Sequence, residues 1–272
     1  MRACLVGSII LVAMCTSSAA DNPAKDLTIA TGVESYRSGN YARAESLFVQ
    51  ITTHTPSSAE AWYRLGLSRY RLKKHAGAEK ALMQALNIAP RDPRLYNALG
   101  LTYMAQADPT QAVANYNAAL GIRPKYLRAR YNLGIAYNQQ GKTSLAISAF
   151  ERAVADSSEF TGARYALAVM LKKARRYDDA AVQLLAMISI DTTNSRPHME
   201  LGFIESERRR FAEAERHFRR ALRLNPRDAR ARYGLGVAYA LQGHWVMAQG
   251  QCDSLKSVNG ALHKRLRRII NP

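Results

Sequence analysis

Cysteine is nearly absent. Cys4, Cys15 and Cys252 are the three that occur in 272 residues, too few for a disulfide framework, so stability has to come from packing. Long apolar runs are missing as well. None reaches the roughly 20 residues that a membrane-spanning helix requires, and the apolar run from Ala3 to Cys15 stands at the extreme N-terminus. Negative charge is in short supply, with 21 Asp+Glu against 39 Lys+Arg and a formal net charge of +18. That excess favours an acidic partner or surface and is silent on fold and reaction type. Signatures of chemistry are absent too. His54, His75, His198, His217, His244 and His263 are scattered with no i,i+4 pair and no cysteine neighbour, which gives no support to metal binding. There is no Gly-x-Ser-x-Gly elbow, no phosphate-cradling loop ending in Lys-Ser/Thr and no pair of catalytic carboxylates in an irregular loop. The chain is therefore expected to be no enzyme and to carry no cofactor. What it has is 47% hydrophobic residues, enough to bury a sizeable core, which excludes the disordered class.

Arg2, the apolar run, the small residues Ser18 and Ala20 and the polar Asp21-Asn22-Pro23 have the shape of a secretory signal. Cleavage is expected after Ala20, giving a 1–20 signal peptide and a periplasmic mature chain whose one cysteine is Cys252. Val12-Ala13-Met14-Cys15 resembles a bacterial lipoprotein box, but Met14 stands where Gly, Ala or Ser belongs, so lipid attachment at Cys15 is disfavoured.

Past the signal, blocks of 34 residues starting at Lys25, Ala59, Pro93, Leu127, Thr161, Ser195 and Ala229 align without insertion or deletion. Their twentieth place is Ala44, Ala78, Ala112, Ala146, Ala180, Ala214 and Ala248; their eighth is glycine except at Ala168; their seventh is leucine after Thr31. The physical reading is one antiparallel helix pair per block, with small residues letting two axes approach closely and neighbouring leucines filling the space left. Larger side chains at the twenty-fourth place, Phe48, Leu82, Tyr116, Phe150, Leu184, Phe218 and Cys252, lock the pair. Gly39, Gly141 and Gly243 end the first helix, and the ends at Lys73, Ala107, Arg175 and Arg209 are expected to be less tidy. Pro56, Pro90, Pro124 and Pro226 punctuate the second helix. Asp178-Asp179 opens a second helix, where carboxylates suit the positive end of the dipole.

Ala61-Trp62-Tyr63-Arg64-Leu65-Gly66, followed by Ala78, Leu82, Ala85 and Pro90, resembles the tetratricopeptide repeat, and the likeness recurs through every block, although the early aromatic place has decayed to Thr28, Arg130, Arg164, His198 and Arg232. The resemblance implies an all-α fold, a right-handed α-solenoid of seven antiparallel helix pairs over residues 21–260, with the first helix of each block lining a concave side. Residues 261–272 read as a capping helix and tail, with Leu262, Leu266, Ile269 and Ile270 inward and Lys264, Arg265, Arg267 and Arg268 outward. The same basic amphipathic stretch is also open to a membrane-surface reading.

The groove that the resemblance implies is lined, by helical spacing, with Tyr63, Tyr131, Tyr165 and Tyr233 at the fifth place, joined by Ile29, Asn97 and Met199. One turn on come Val33, Leu67, Leu101, Ile135, Val169, Phe203 and Val237, and Arg94, Arg128, Arg196 and Arg230 edge the strip. Tyrosine and arginine often carry interface energy. The expected partner is a protein or peptide segment with apolar anchors and acidic residues. The Lys/Asn set by which some tetratricopeptide domains grip a chaperone's C-terminal carboxylate is incomplete here, since Asn132 is flanked by Asn97, Leu101, Gly162 and Ala166. Basic runs fall at Arg64–Lys74, Arg208–Arg210 and Lys264–Arg268 and read first as solvated faces. A partner among nucleic acids is disfavoured by the secretory signal, whereas an anionic envelope surface is a second possibility.

Overall fold

The computed structural model describes residues 28–271; the signal segment, its cleavage after Ala20 and Cys15 lie outside the described residues. Those residues form helices and no strand. In chain order they are α1 (Ile29–Arg37), α2 (Tyr41–His54), α3 (Ala59–Arg71), α4 (His75–Ile88), α5 (Pro93–Ala105), α6 (Pro109–Ile122), α7 (Leu127–Gln139), α8 (Thr143–Asp156), α9 (Thr161–Lys173), α10 (Tyr177–Ile190), α11 (Ser195–Glu207), α12 (Phe211–Leu224), α13 (Ala229–Leu241), α14 (Trp245–Val258) and α15 (Gly260–Ile270). Each 34-residue block thus supplies one pair, as the period predicts.

The chain divides into two compact units, Met1–Ala81 and Leu82–Pro272, with the boundary inside α4. In the first unit α2 packs on both α1 and α3 around Ala44, Phe48, Ile51, Ala61 and Leu65. The second unit is an α-solenoid in which each helix from α5 to α14 packs on its neighbours in sequence. First helices of successive pairs also meet, α5 with α7, α9 with α11, and α11 with α13. Asp178 and Asp179 lie in the first turn of α10.

The repeated small residues explain the close packing. All seven alanines at the twentieth place are 0% exposed. The eighth-place glycine, however, makes room for the twenty-fourth-place ring rather than for that alanine. A Cβ on Gly100 would sit 2.4 Å from Tyr116, and one on Gly134 2.6 Å from Phe150, closer than carbon atoms approach. In the last block the twenty-fourth place is the small Cys252, and Leu266 of α15 fills the gap instead, 2.4 Å from where a Gly236 Cβ would stand. Fully buried Leu266, half-buried Leu262 and Ile270 face inward. Ile269, expected to do the same, is 36% exposed, because it falls on the flank of α15 away from α13 and α14.

Two further expectations are corrected. Lys73, Ala107, Arg175 and Arg209 end their helices as neatly as glycine does, with φ of 60, 61, 59 and 60°. Each accepts the left-handed conformation because two backbone bonds close the end. Lys73 N donates to Tyr70 O (3.0 Å) and Lys74 N to Arg69 O (2.9 Å), just as Gly39 N donates to Tyr36 O (3.1 Å) and Asn40 N to Ser35 O (2.9 Å). Nor has the early aromatic place decayed in its role at Arg130, Arg164 and Arg232, although Thr28 and His198 do not fill it. Trp62 Nε1 donates to Pro56 O at 2.9 Å and Tyr96 Oη to Pro90 O at 3.2 Å. Arg164 reaches Ser158 O at 2.7 Å, Arg232 reaches Pro226 O at 2.7 Å, and Arg130 bonds Pro124 O. A long side chain ending in a donor satisfies the carbonyl six residues back, whether or not it carries a ring.

Candidate functional site

In the second unit, α9, α11 and α13 bring one cluster together. Tyr165, Val169 and Lys172 share a face of α9 by their spacing of four and three; Glu200 and Phe203 face them from α11, and Arg230 from the first turn of α13. Glu200 is 3% exposed, a carboxylate in the position where other blocks carry Ala30, Arg64, Ala98, Asn132, Ala166 and Gly234. It is compensated from both sides. The Tyr165 hydroxyl donates to Oε1 at 3.0 Å, Lys172 Nζ bonds Oε2, and an Arg230 guanidinium nitrogen lies 3.4 Å from Oε1. Burial, and then the negative charge of Glu200, push the Tyr165 phenol above its ordinary value, so it stays a donor throughout the physiological range.

Phe203 stands beside this network. Its ring meets Phe218 edge-on at 5.0 Å, which fixes it from behind. Lys172 Nζ and the Arg230 guanidinium each lie 5.5 Å from its centroid, within cation–π range. A cleft of about 420 Å³ opens here, lined by Val169, Lys172, Lys173, Arg175, Tyr177, Phe203, Glu207 and Arg230. Two cations share one buried carboxylate, and Lys173 and Arg175 add positive charge at the rim. The cleft offers an aromatic floor and an excess of donors.

Of the residues named from the spacing, the structure brings Tyr165, Val169, Phe203 and Arg230 together, and it adds Lys172 and Glu200, which were not foreseen. Other members of the rows have local partners. Tyr63 and Leu67 lie on α3 in the first unit, with Arg64 over the Tyr63 ring at 5.6 Å. Arg94 is held by Asp92, with nitrogen–oxygen distances down to 2.7 Å. Asn97 is buried and accepts from Asn132 Nδ2 at 3.0 Å. Tyr131 packs between Phe150 (5.7 Å) and Phe160 (5.3 Å). Tyr233 and Val237 pack against the cluster of Cys252, Leu255 and Leu266, and Arg265 covers Tyr233 at 5.4 Å. Arg128, Ile135 and Arg196 are exposed.

A larger cleft of about 540 Å³ between α6, α7 and α8 includes Arg130 and Arg152, but Arg130 is already committed to Asp156 at 2.9 Å and to the Pro124 carbonyl. Cys252 is fully buried, and burial pushes its thiol up, which suits an inert packing role. Among the described residues no His, Cys, Asp and Glu group could hold a metal ion, and no helix is long and apolar enough to cross a membrane.

Helix pairs at a 34-residue period, closed by small residues and exposing a first-helix cleft, define a repeat-protein interaction module. The tetratricopeptide repeat family model matches residues 30–93, 97–159, 138–194 and 204–246, and the chain belongs to that family. Among solved structures it is similar to a tetratricopeptide repeat protein from Parabacteroides merdae, with 17% identity, a TM-score of 0.66, and coverage of 91% of this chain and 98% of that one. It is also similar to PilW, a type IV pilus biogenesis factor, at 22% identity and a TM-score of 0.64 over 75% of this chain and 94% of that one. Superkiller protein 3 of Schizosaccharomyces pombe is 45% identical over 51 residues, 19% of this chain and 4% of that protein, so the chain spans a small fraction of that relative's length.

Proposed function

We propose that the chain is a non-enzymatic protein-interaction scaffold that holds a partner segment against α9, α11 and α13. The fold supports the scaffold role, and one observation carries the choice of site. Phe203 is immobilised by Phe218 and flanked at 5.5 Å by both Lys172 and Arg230 in an open cleft. An apolar anchor laid on the ring and a carboxylate within reach of the two cations satisfy such a surface together. Selection from a random peptide library tests it. The wild-type chain should enrich acidic peptides with aromatic or aliphatic neighbours, and a Phe203→Ala/Arg230→Ala variant with unchanged helical circular dichroism should lose them. Equal enrichment by both proteins removes this cleft as the site.

The periplasm is the proposed compartment, on the strength of the Arg2–Ala20 signal pattern. A mature N-terminus at Asp21 in the periplasmic fraction is the expected finding. An alternative keeps the scaffold role but seats it on an anionic envelope surface, as a peripheral adaptor or as a lipoprotein assisting pilus or outer-membrane assembly. The likeness to PilW is one of fold, and palmitate labelling that disappears in Cys15→Ser would favour the lipoprotein.

A further inference from the structure

At one end of the second unit, large apolar side chains stand in water. Leu241 is 54% exposed, Trp245 52%, Val246 88% and Met247 51%, and they flank the tight turn at Gly243 between α13 and α14. The places of Trp245-Val246-Met247 hold Tyr177-Asp178-Asp179 and Phe211-Ala212-Glu213 in the two preceding blocks. Three apolar residues in succession are therefore not what this turn of the repeat requires. Apart from His244, no titratable acid or base occurs from Leu241 to Gln251.

Arginines border the patch on two sides. The Gln242 side chain donates to Phe211 O at 3.5 Å, so the turn abuts Arg209 and Arg210, both exposed. Ile270 packs against the cluster containing Ala240 and Ala248, which brings the last turn of α15, with exposed Arg267, Arg268 and Ile269, to the same end. Most carboxylates nearby are paired. Glu205 pairs with Arg208 at 3.3 Å and with Arg210 at 3.5 Å, Glu213 with Arg216 at 3.0 Å and Glu215 with Arg219 at 2.8 Å, while exposed Glu207 at the end of α11 is the one against which the exposed arginines stand in excess.

We propose that this end of the second unit docks on an anionic lipid bilayer, with Trp245, Val246 and Met247 entering the boundary between headgroups and acyl chains and Arg209, Arg210, Arg267 and Arg268 meeting the headgroups. Shape favours lipid over a protein groove. Consecutive residues on a helix point about 100° apart, so these three project as a convex tip rather than as the i, i+3, i+4 stripe that a partner's groove reads. A fluid interface demands no matching contour. Indole rings prefer that boundary, and the bordering charge is positive in excess. The route differs from an amphipathic membrane helix, because α15 has already buried Leu266 against α13 and α14.

The chain has two tryptophans, Trp62 and Trp245. Trp62→Tyr, the residue that does the same work at Tyr96, leaves Trp245 as the sole indole reporter. That protein is titrated with vesicles of phosphatidylcholine alone or of phosphatidylcholine and phosphatidylglycerol in equal parts. Sedimentation and a blue shift of Trp245 emission are expected with the anionic vesicles only, with Val246→Asp abolishing both while helical circular dichroism is unchanged. Each of Arg267→Gln and Arg268→Gln should weaken binding by about fivefold. The proposal is overturned by emission that vesicles do not move, or by sedimentation that Val246→Asp leaves intact. It is equally overturned if light scattering shows a dimer that Val246→Asp dissociates and vesicles do not bind, since the patch would then be a contact between copies.

Discussion

At Arg130, Arg164 and Arg232 an arginine stands in for an aromatic residue, because the place needs reach and a donor more than a ring. Arg164 shows this best, donating to Ser158 O at 2.7 Å and to Gln183 Oε1 at 2.9 Å. Arg164→Leu keeps the apolar stem and strands both acceptors, so urea denaturation should show a loss of about 1–2 kcal/mol. Arg164→Trp should recover part of it, and equal loss in both variants would mean that the stem and not the donor matters. The glycines divide just as sharply. Gly100→Ala drives a methyl group to 2.4 Å from the Tyr116 ring and should cost about 1–3 kcal/mol by overpacking. Gly121→Ala, in α6 with nothing within 4 Å of the new atom, should instead gain roughly 0.5–1 kcal/mol. Both signs are read from one pair of melts.

Between neighbouring elements, α11 and α12 hold an imidazole pair, His198 and His217, with ring centroids 5.8 Å apart. Burial first, and then the neighbouring His217 and the arginines at 220 and 223, lower the His198 value; burial likewise lowers that of His217, against the opposing pull of Glu205. Both groups therefore take up protons more readily in the unfolded chain. Their neutral forms contribute stability that is complete above the unfolded value of 6.5 and is lost as pH falls through the lower folded values. The melting temperature should begin to drop just below pH 6.5, before carboxylates titrate, and His198→Gln/His217→Gln should flatten that slope. Helix pairing itself was legible in the sequence, because alanine and glycine recur at fixed places and sterics gives them one meaning. The Lys73, Ala107, Arg175 and Arg209 ends were not, because their left-handed turns are imposed by paired backbone bonds that leave no mark on residue type. Glu200 escaped for another reason. Its partners Tyr165, Lys172 and Arg230 are 35, 28 and 30 residues away, so only the packing of three helices makes a site of it.

Across the whole molecule, the charge of +18 acts in two ways that salt separates. The excess repels itself over long distances, which ions screen readily. Ion pairs such as Arg69–Glu45 at 3.1 Å and Arg219–Glu215 at 2.8 Å act at contact and are screened less when partly buried. Adding sodium chloride should therefore raise the melting temperature modestly, through relief of repulsion. Capture of an acidic peptide by Lys172 and Arg230 should weaken over the same range, because encounter between a cationic cleft and an anionic segment relies on the unscreened field. One salt titration, followed by calorimetry and by peptide fluorescence anisotropy, reads both. If affinity and melting temperature fall together, contact pairs dominate stability and the excess charge is not its main electrostatic burden. If affinity is indifferent to salt while Phe203→Ala abolishes it, the cleft binds through its aromatic floor, and the flanking cations serve chiefly to keep Glu200 buried.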